Sequence, residues 1–269
     1  MNSSSTGLYY TYVTNGTQYE VTSLFESQKY KSQYAVNPSI PDYPEVNAKG
    51  SSLTVNPLFS TSGLVGYWNL DEGTGTTAYD TSGSGNTGIW SGTTPYYASG
   101  KVGPSAGSFD GTDDYVNISS IDSSLSGSQG AIALWAYPMS TATSTTGYIF
   151  SSWGPSSNRF YISYYPPPSN TVSVTRSNPS VSIGLGTIPL NSWYHITLTW
   201  NSSMMYGYLN GNLIASSSYT NSSSQGGNST IGAYQDAPAQ LFPGKIDDVR
   251  IYNRALSAAE VQGLYNAEK

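Results

Sequence analysis

Apolar and polar residues alternate strictly along the segment from His195 to Trp200. Ile196, Leu198 and Trp200 fall on one side of this alternation, and His195 falls on the other side with two threonines. A period of two residues is that of a β-strand, because successive side chains point to opposite faces. The segment therefore predicts a strand with its apolar side in a core and its other side in polar surroundings.

Short β-type runs recur along the chain after Gly63, separated by clusters of Gly, Ser, Asn and Pro. The runs are LVGYWNL, SFDGTDDYVNI, AIALWAYP, GYIFSSW, RFYISYY, TVSVTR, SWYHITLTW, MYGYLNGNLIAS, STIGAY and KIDDVRIYN. Many short strands at this spacing indicate packed antiparallel sheets rather than alternating strands and helices. The pattern predicts an all-β sandwich or jelly roll.

Two Asn-Gly pairs, Asn15-Gly16 and Asn210-Gly211, lie between β-type runs. Asn-Gly readily takes the positive φ angles of a type I′ turn, so each pair predicts a β-hairpin. Near the C-terminus, Ser257 and Glu260 have the spacing of a capping box, in which each side chain accepts from the other residue's backbone N–H. A short helix is therefore predicted after the last strand.

Proline separates the N-terminal part of the chain from the strand-rich part. Four prolines between residues 38 and 57 lie among Ser, Asn and Gly, and no apolar period continues through them. We expect a β-hairpin segment over residues 1–50, a Pro/Ser-rich linker over 51–63 and the all-β domain over 64–269.

Charge is scarce in this sequence: 10% of the residues are charged, against about a quarter in an average soluble domain. The net charge of −6, with no run of Lys or Arg, excludes a nucleic acid or an anionic membrane as the expected partner. The absence of cysteine excludes disulfides and thiolate sites. No apolar run reaches the roughly 18 residues of a membrane span, so none is expected in this chain.

Several separated motifs resemble, in order, those of the LamG-like jelly-roll or concanavalin A-like lectin family. They are GLVGYWNLDEGTGTTAYDTSGSGNTG, GSFDGTDDYVNI, AIALWAYP, NSWYHITLTW, GYLNGNLIAS and GKIDDVRIYNRALSAAEVQGLYN. The resemblance extends from about Leu64 to the C-terminus. It implies a two-sheet antiparallel jelly roll whose first and last long strands lie together, often with a structural Ca²⁺ near one rim. Members of the family mostly bind glycans or proteins at surfaces.

The N-terminal stretch YYTYVTNGTQYEVTSLFESQKYK is similar to the distal part of the globular head of bacterial type IV pilin-like proteins. In those heads such a hairpin packs against a long helix. The similarity implies that this chain is displayed on a pilus-like filament or is one of its subunits.

Oxygen-bearing side chains at loop and strand ends are the candidate ligands for the calcium that the resemblance implies. Calcium takes about 6–8 oxygens at about 2.3–2.6 Å. The candidates are Asp80, Asp247, Asp71, Glu72, Asn86 and Asp110, with the first two preferred. In the alternative interpretation, Asp80 and Asp110 only accept hydrogen bonds from the backbone of their own turns.

The few charged residues gather near the C-terminus: Lys245, Asp247, Asp248, Arg250, Arg254 and Glu260. We interpret them as the closure of the jelly roll, with one Asp near a cation and with Arg and Glu fixing the last strand and the helix. Asp247 and Asp248 are adjacent in a strand, so we expect their carboxyl groups on opposite faces.

Catalysis is not expected from this sequence. A glycosidase needs two carboxyl groups about 5–10 Å apart, and nothing here matches the Glu-x-Asp-x-x-Glu or Glu-x-Asp-x-Glu strands that concanavalin-type glycosidases resemble one another in carrying. His195, the only histidine, is expected at the surface or rim. A glycoside hydrolase remains the weaker alternative, because carboxylates distant in sequence can meet in space.

Aromatic residues make up 13% of the chain, and many lie in or beside loops. The C–H face of a sugar packs on such rings while its hydroxyls bond to polar side chains. Tyrosine also simply suits strands and half-buried surfaces. The candidates for ligand contact are Trp90, Tyr96, Tyr97, Trp153, Tyr164, Tyr165 and Tyr234.

Together these features predict a non-catalytic binding or adhesion module, extracellular or at the cell surface, that recognises a glycan or another surface polymer. The alternative is a structural subunit of a pilus-like filament, in which tyrosine-rich surfaces contact other subunits.

Overall fold

The computed structural model describes residues 10–14, 19–23, 61–125, 128–139, 146–153, 159–177, 180–219, 227–235 and 240–269. The contacts divide the chain into two units, Met1–Ser60 and Thr61–Lys269.

In the first unit two strands, β1 (Tyr10–Thr14) and β2 (Tyr19–Ser23), pair antiparallel with Thr14 opposite Tyr19. The predicted hairpin pairing is confirmed. Its Asn15-Gly16 turn lies outside the described residues, as do residues 51–60 of the predicted linker. The similarity to a pilin head stays a prediction.

The strands of the second unit form two antiparallel sheets, here called the front sheet and the back sheet. In spatial order the front sheet contains β13 (Val181–Thr187), β12 (Thr171–Ser177), β11 (Arg159–Tyr165), β10 (Gly147–Trp153), β17 (Asn228–Ile231), β8 (Tyr115–Asn117), β5 (Gly88–Ser91) and β4 (Thr77–Ala78). The back sheet contains β16 (Asn212–Ser218), β15 (Met204–Leu209), β14 (Tyr194–Trp200), β9 (Gly130–Pro138), β18 (Pro243–Tyr252), β7 (Ser105–Asp110) and β6 (Tyr97–Ser99), and β3 (Leu64–Trp68) pairs with β18. A 3₁₀ helix (Ser119–Ser123) and an α-helix, α1 (Ala258–Glu268), complete the elements of the described residues. The predicted all-β jelly roll with a short C-terminal helix is confirmed.

The main core lies between the two sheets. In β14, Ile196, Leu198 and Trp200 are fully buried, as the alternation predicted. The Trp200 ring stacks on Phe160 of the front sheet, with 4.2 Å between ring centroids. A Cβ atom on Gly130 would lie 2.3 Å from the Trp200 ring, so this close approach requires glycine. Truncating a buried aromatic residue costs about 3–5 kcal/mol. The stacking of Trp200 on Phe160 therefore contributes strongly to holding the two sheets together.

Two further predictions about strand pairing are confirmed. The first long strand, β3, lies beside the last, β18, with Trp68 opposite Val249. Asn210 and Gly211 join β15 to β16 with φ angles of 50° and 76°, which is the conformation of a type I′ turn.

Helix α1 covers the outer side of the back sheet. Its predicted capping box is present: the Glu260 N–H donates to Ser257 Oγ at 3.3 Å, and the Ser257 N–H donates to Glu260 Oε2 at 2.8 Å. Val261 and Leu264 of the helix join Ala133 and other residues in a second apolar cluster. None of the helices among the described residues has the length and apolar character needed to cross a membrane.

The helix changes the surroundings of the polar side of β14. Thr197, Thr199 and His195 were expected in polar surroundings, but each is at most 1% exposed. Thr199 Oγ1 accepts from the Leu256 N–H at 2.9 Å, which ties the strand to the residues just before the helix. The prediction of a surface or rim histidine is therefore wrong.

Candidate ligand-binding face

The outer side of the front sheet carries a group of partly exposed rings that we call the aromatic face. In β11, Phe160, Ile162 and Tyr164 point into the core and are fully buried. The alternating positions of the same strand, and residues of β10 and of the turn after β17, point the other way. The aromatic face consists of Tyr148, Trp153, Arg159, Tyr161, Tyr165 and Tyr234.

The rings of this face contact one another in a chain. Tyr148 lies between Tyr161 and Tyr234, with centroid distances of 5.3 and 4.4 Å. Tyr234 also meets Trp153 edge to face, at 4.7 Å and 80°. Tyr165 follows on the same side of β11 and is 38% exposed. Neighbouring rings therefore hold one another in place and leave part of their surface free.

Small hydroxyl side chains lie beside these rings, and those of Ser163, Ser173 and Thr175 are buried. Ser163 lies opposite Tyr148 on one neighbouring strand and opposite Ser173 on the other. The Ser163 and Ser173 hydroxyls are 2.9 Å apart, and those of Thr175 and Ser182 are 2.8 Å apart. Gly184 follows next to Ser173, and a Cβ atom built on it meets no atom within 4 Å. The sheet surface is therefore open at this edge.

Arg159 lies within the aromatic face. Its guanidinium carbon is 3.1 Å from the centroid of the Trp153 ring, and its Nη1 donates to the Tyr234 hydroxyl at 2.8 Å. Stacking and this hydrogen bond fix the plane of the guanidinium group.

Burial raises the pKa of Tyr148, Tyr161 and Tyr234 above the usual value, because the phenolate form loses hydration. Near neutral pH these hydroxyls therefore act as both hydrogen-bond donors and acceptors.

The seven predicted ligand contacts separate into two groups. Trp153, Tyr165 and Tyr234 lie on the aromatic face. Trp90, Tyr96 and Tyr164 are at most 7% exposed and belong to the core, so they have no free ring face for a sugar.

Tyr97, the remaining candidate, is half-buried, and its hydroxyl accepts from Trp90 Nε1 at 2.9 Å. Sequence reasoning missed Tyr148, Arg159 and Tyr161. The alternation within RFYISYY was a signal for two of them.

The structure does not gather the six predicted calcium ligands at one point. Asp80 accepts from the backbone N–H groups of Tyr67, Ser82 and Asn86 at 2.8–2.9 Å. Asp110 likewise accepts from the N–H groups of its own turn. These are the contacts of the alternative interpretation, in which both residues anchor turns.

The remaining candidates have separate partners. Asp247 accepts from the N–H groups of Lys101 and Val102, and Asp71 accepts from the Ser105 N–H. Glu72 accepts from the Tyr79 N–H, and the Asn86 side chain donates to the Val65 carbonyl.

Within the described residues, one group of three acidic side chains has oxygens within 4.8 Å of one another: Asp110, Asp113 and Asp114. Only the first was a predicted ligand. Both oxygens of Asp114 already accept from backbone N–H groups, those of Thr93 and Asp110. The predicted ligands thus have separate partners among the described residues, while Glu72 Oε2 and Asp247 Oδ1 are buried and have none. Calcium stays a prediction.

The charges near the C-terminus form a buried network on the outer side of the back sheet. Arg250 pairs with Glu268 of α1 and lies 3.5 Å from Asp248. Glu268 also accepts from Trp135 Nε1 at 2.7 Å, and Asp248 accepts from the Tyr67 hydroxyl. The interpretation of Arg and Glu as groups that fix the last strand and the helix agrees with these contacts.

Asp247 and Asp248 do not point to opposite faces as expected. Asp248 has a φ angle of 53° in a register shift between Asp247 and Arg250, so an extra residue bulges from the strand. Both carboxyl groups are consequently buried on the outer side of the sheet. Burial, with some repulsion from Asp248, raises the pKa of Asp247 to about 8.

His195 lies close to this network and is buried. Its ring packs against Trp135 and Tyr265, with centroid distances of 5.2 and 6.1 Å. Neither ring nitrogen has a hydrogen-bond partner within the described part of the chain. Burial and the nearby Arg250 lower its pKa to about 3, so the imidazole is neutral.

Known proteins share the architecture of the second unit. The sequence profile of the concanavalin A-like lectin/glucanases superfamily matches residues 110–262. No curated protein matches the chain.

Solved structures give further matches. Domain 4 of AbnA, an extracellular GH43 arabinanase from Geobacillus stearothermophilus solved with arabinotriose, matches with a TM-score of 0.54 and 21% identity. The match covers 77% of this chain and 99% of that domain. The binding domain of Paraclostridial Mosquitocidal Protein 1 matches with a TM-score of 0.62 and 17% identity, over 76% of this chain and 52% of that one.

Trypanosoma rangeli sialidase, solved with the inhibitor DANA, matches with a TM-score of 0.57 and 15% identity, over 76% of this chain. This chain spans only 33% of the sialidase and about half of the mosquitocidal binding domain. At such identities the matches show a shared fold.

Proposed function

The chain belongs to the concanavalin A-like lectin/glucanases superfamily, and from this premise we propose that it is a non-catalytic binding module whose aromatic face takes a glycan. The observation that carries the proposal is the set of partly exposed rings with a guanidinium group among them. Tyr148, Trp153 and Tyr234 offer ring surface to the C–H face of a sugar, and Arg159 lies beside Trp153 and Tyr234 as a hydrogen-bond donor.

The composition of the face supports binding over hydrolysis. Strands β10 to β13 and β17 of the front sheet contain no Asp or Glu. A glycosidase of the usual kind needs two carboxyl groups about 5–10 Å apart. On this proposal, incubation with chromogenic and polymeric sugars gives no turnover, and turnover would restore the hydrolase alternative.

A polar, cation-poor surface and the family suit a module exported to the cell surface, where it would act in adhesion to a glycan or a surface polymer. The arabinotriose bound by AbnA domain 4 is a precedent for a glycan ligand on this fold. Display on a pilus-like filament stays a prediction, because no described contact bears on it.

A glycan array tests the proposal directly. We expect the wild-type chain to bind at least one class of glycan, and Trp153→Ala and Tyr161→Ala to weaken that binding about fivefold each, since a ring contact is worth about 1 kcal/mol. Tyr79→Ala is the matched control, because Tyr79 is 58% exposed and lies outside the aromatic face. Failure of the wild-type chain to bind any glycan would contradict the proposed site. Binding by all three variants as tight as that of the wild type would contradict it too.

A further inference from the structure

We propose that the aromatic face selects glycans that carry a carboxylate, such as uronic acid polymers, and that Arg159 is the residue that recognises the acidic group. This inference rests on the proposed function and names the ligand class for the same face. It goes against the net charge of the chain, which is −6. The charges close to the aromatic face, rather than the net charge, determine whether an acidic ligand can bind there.

The carboxylates are absent from the middle of the sequence. From Ser123 to Gln235 there is no Asp, no Glu and no Lys, and the arginines are Arg159 and Arg176. Arg176 is fully buried, with its guanidinium 5.0 Å from the Phe160 ring and 4.4 Å from the Tyr219 ring. Arg159 is therefore the charged member of the aromatic face, and the next carboxylate along the sequence, Asp236, directly follows Gln235.

The three described arginines outside the core differ in their partners. Arg250 pairs with Glu268 and Asp248, and Arg254 pairs with Glu260. Among the described residues, no carboxylate lies within 4.0 Å of the Arg159 guanidinium. A guanidinium has five N–H donors. The Tyr234 hydroxyl takes one from Nη1, and the Arg159 Nε is buried, so the donors left for a ligand are those on Nη1 and Nη2.

The geometry of Arg159 suits a planar anion. Stacking at 3.1 Å on Trp153 fixes the plane of the guanidinium, so little conformational entropy is lost when a ligand binds. A carboxylate accepts two parallel N–H bonds from such a group. The rings of Tyr148 and Tyr234 lie beside it, so a sugar that stacks on a ring brings an attached carboxyl group within reach of the arginine.

The alternative role for Arg159 is packing alone, in which it only supports Trp153. The two roles differ in what they predict for ligands. A packing residue affects neutral and acidic glycans equally, whereas a recognition residue affects only the acidic ones.

The experiment uses the full chain and an array that carries carboxylated, sulfated and neutral glycans. The best carboxylated polymer is then compared in solution with its carboxyl-reduced form, which has the same backbone without the charge. We expect the wild type to bind the acidic form at least tenfold more tightly and to lose this preference as NaCl is raised. Arg159→Gln is expected to bind the acidic and the reduced forms equally, and Arg159→Lys to keep part of the preference.

Thermal unfolding of each variant checks that the fold is retained, and Tyr234→Phe serves as a second variant that keeps the charge and removes only the phenolic partner. Because the bond to the Tyr234 hydroxyl helps to fix the guanidinium group, this variant is expected to lose part of the preference and to keep more of it than Arg159→Gln. Equal wild-type binding of the acidic and reduced forms, or capture of neutral or sulfated glycans alone, would overturn the acidic ligand and leave the binding face standing. Absence of binding to every glycan would instead overturn the proposed function, and the acidic ligand with it.

Discussion

The outer sides of the two sheets carry different kinds of side chain. On the back sheet, helix α1 covers the surface, and beneath it Arg250, Glu268 and Asp248 form a network that is almost fully buried. On the front sheet no described helix covers the strands, and the surface consists of tyrosine, tryptophan, small hydroxyls and Arg159. Within the described residues, this group of charges joins the helix to the back sheet, and the proposed binding face consists of neutral groups with one arginine.

The largest loss of folding stability is expected when Arg250, at the centre of the buried charged network, is replaced. Arg250→Ala removes the shared partner of two buried carboxylates, and removal of one member of a buried pair costs about 3–5 kcal/mol. Urea unfolding of the variant measures this loss. Arg254→Ala is the matched control: its pair with Glu260 is partly exposed and is worth about 1 kcal/mol or less. Equal losses in the two variants would contradict a structural role specific to the buried network.

The free energy of unfolding should also depend on pH, because Asp247 is buried beneath the back sheet's outer surface. Asp247 has a pKa of about 8 in the folded chain, mainly through burial, and about 4 when unfolded. The folded state therefore holds an extra proton between these values, so the free energy of unfolding rises as the pH falls from 9 towards 6.5. The gain from Asp247 alone is about 2 kcal/mol over this range.

Below pH 6.5 the histidine acts in the opposite direction. His195 has a pKa of about 3 when folded, and about 6.5 when unfolded, so its unfolded form takes up a proton that the folded form refuses. Between about pH 6.5 and 4 the contributions of His195 and Asp247 offset each other, so the gain from Asp247 should level off below pH 6.5. Asp247→Asn is expected to flatten the slope between pH 6.5 and 9 in urea titrations at each pH, and an unchanged slope would assign the pH dependence elsewhere.

A smaller loss is expected at the helix that closes the back sheet. Ser257→Ala removes one half of the capping box and should cost about 1 kcal/mol, which lowers the melting temperature by about 2–4 °C. Ser257→Asp keeps a good cap and serves as the control. If Ser257→Ala left the melting temperature unchanged, the helix would be held by its apolar face alone.

Features of the two outer sides that depend on neighbouring residues could be predicted from the sequence. Features that depend on contacts between distant parts of the chain could not. The strand through Ile196 and the capping box at Ser257 follow from neighbouring residues, and both were predicted. The burial of His195 and the bulge at Asp248 depend on how α1 and β9 pack against distant strands, and both were missed. Tyr148 and Tyr161 meet only because β10 and β11 pair in one register, so their contact was not predictable from either run alone.

Calcium should have the smallest effect. The carboxyl group of Asp80, and one oxygen of Asp247, already accept backbone N–H bonds. We therefore expect millimolar calcium, added after EDTA, to shift the melting temperature by less than about 2 °C, which corresponds to less than about 1 kcal/mol. A larger rise that is lost in Asp80→Ala would contradict this expectation and establish a structural cation at that turn.

On the proposed function, a glycan binds the outer side of the front sheet and not the helix-covered side of the back sheet. The most direct measurement follows the indole N–H signals of the six tryptophans by NMR while the tightest-binding glycan of the array is added. Trp153 reports on the aromatic face and Trp135 on the side beneath α1. A shift of the Trp153 signal with the Trp135 signal unchanged is the predicted result, and a shift of Trp135 without Trp153 would contradict the account.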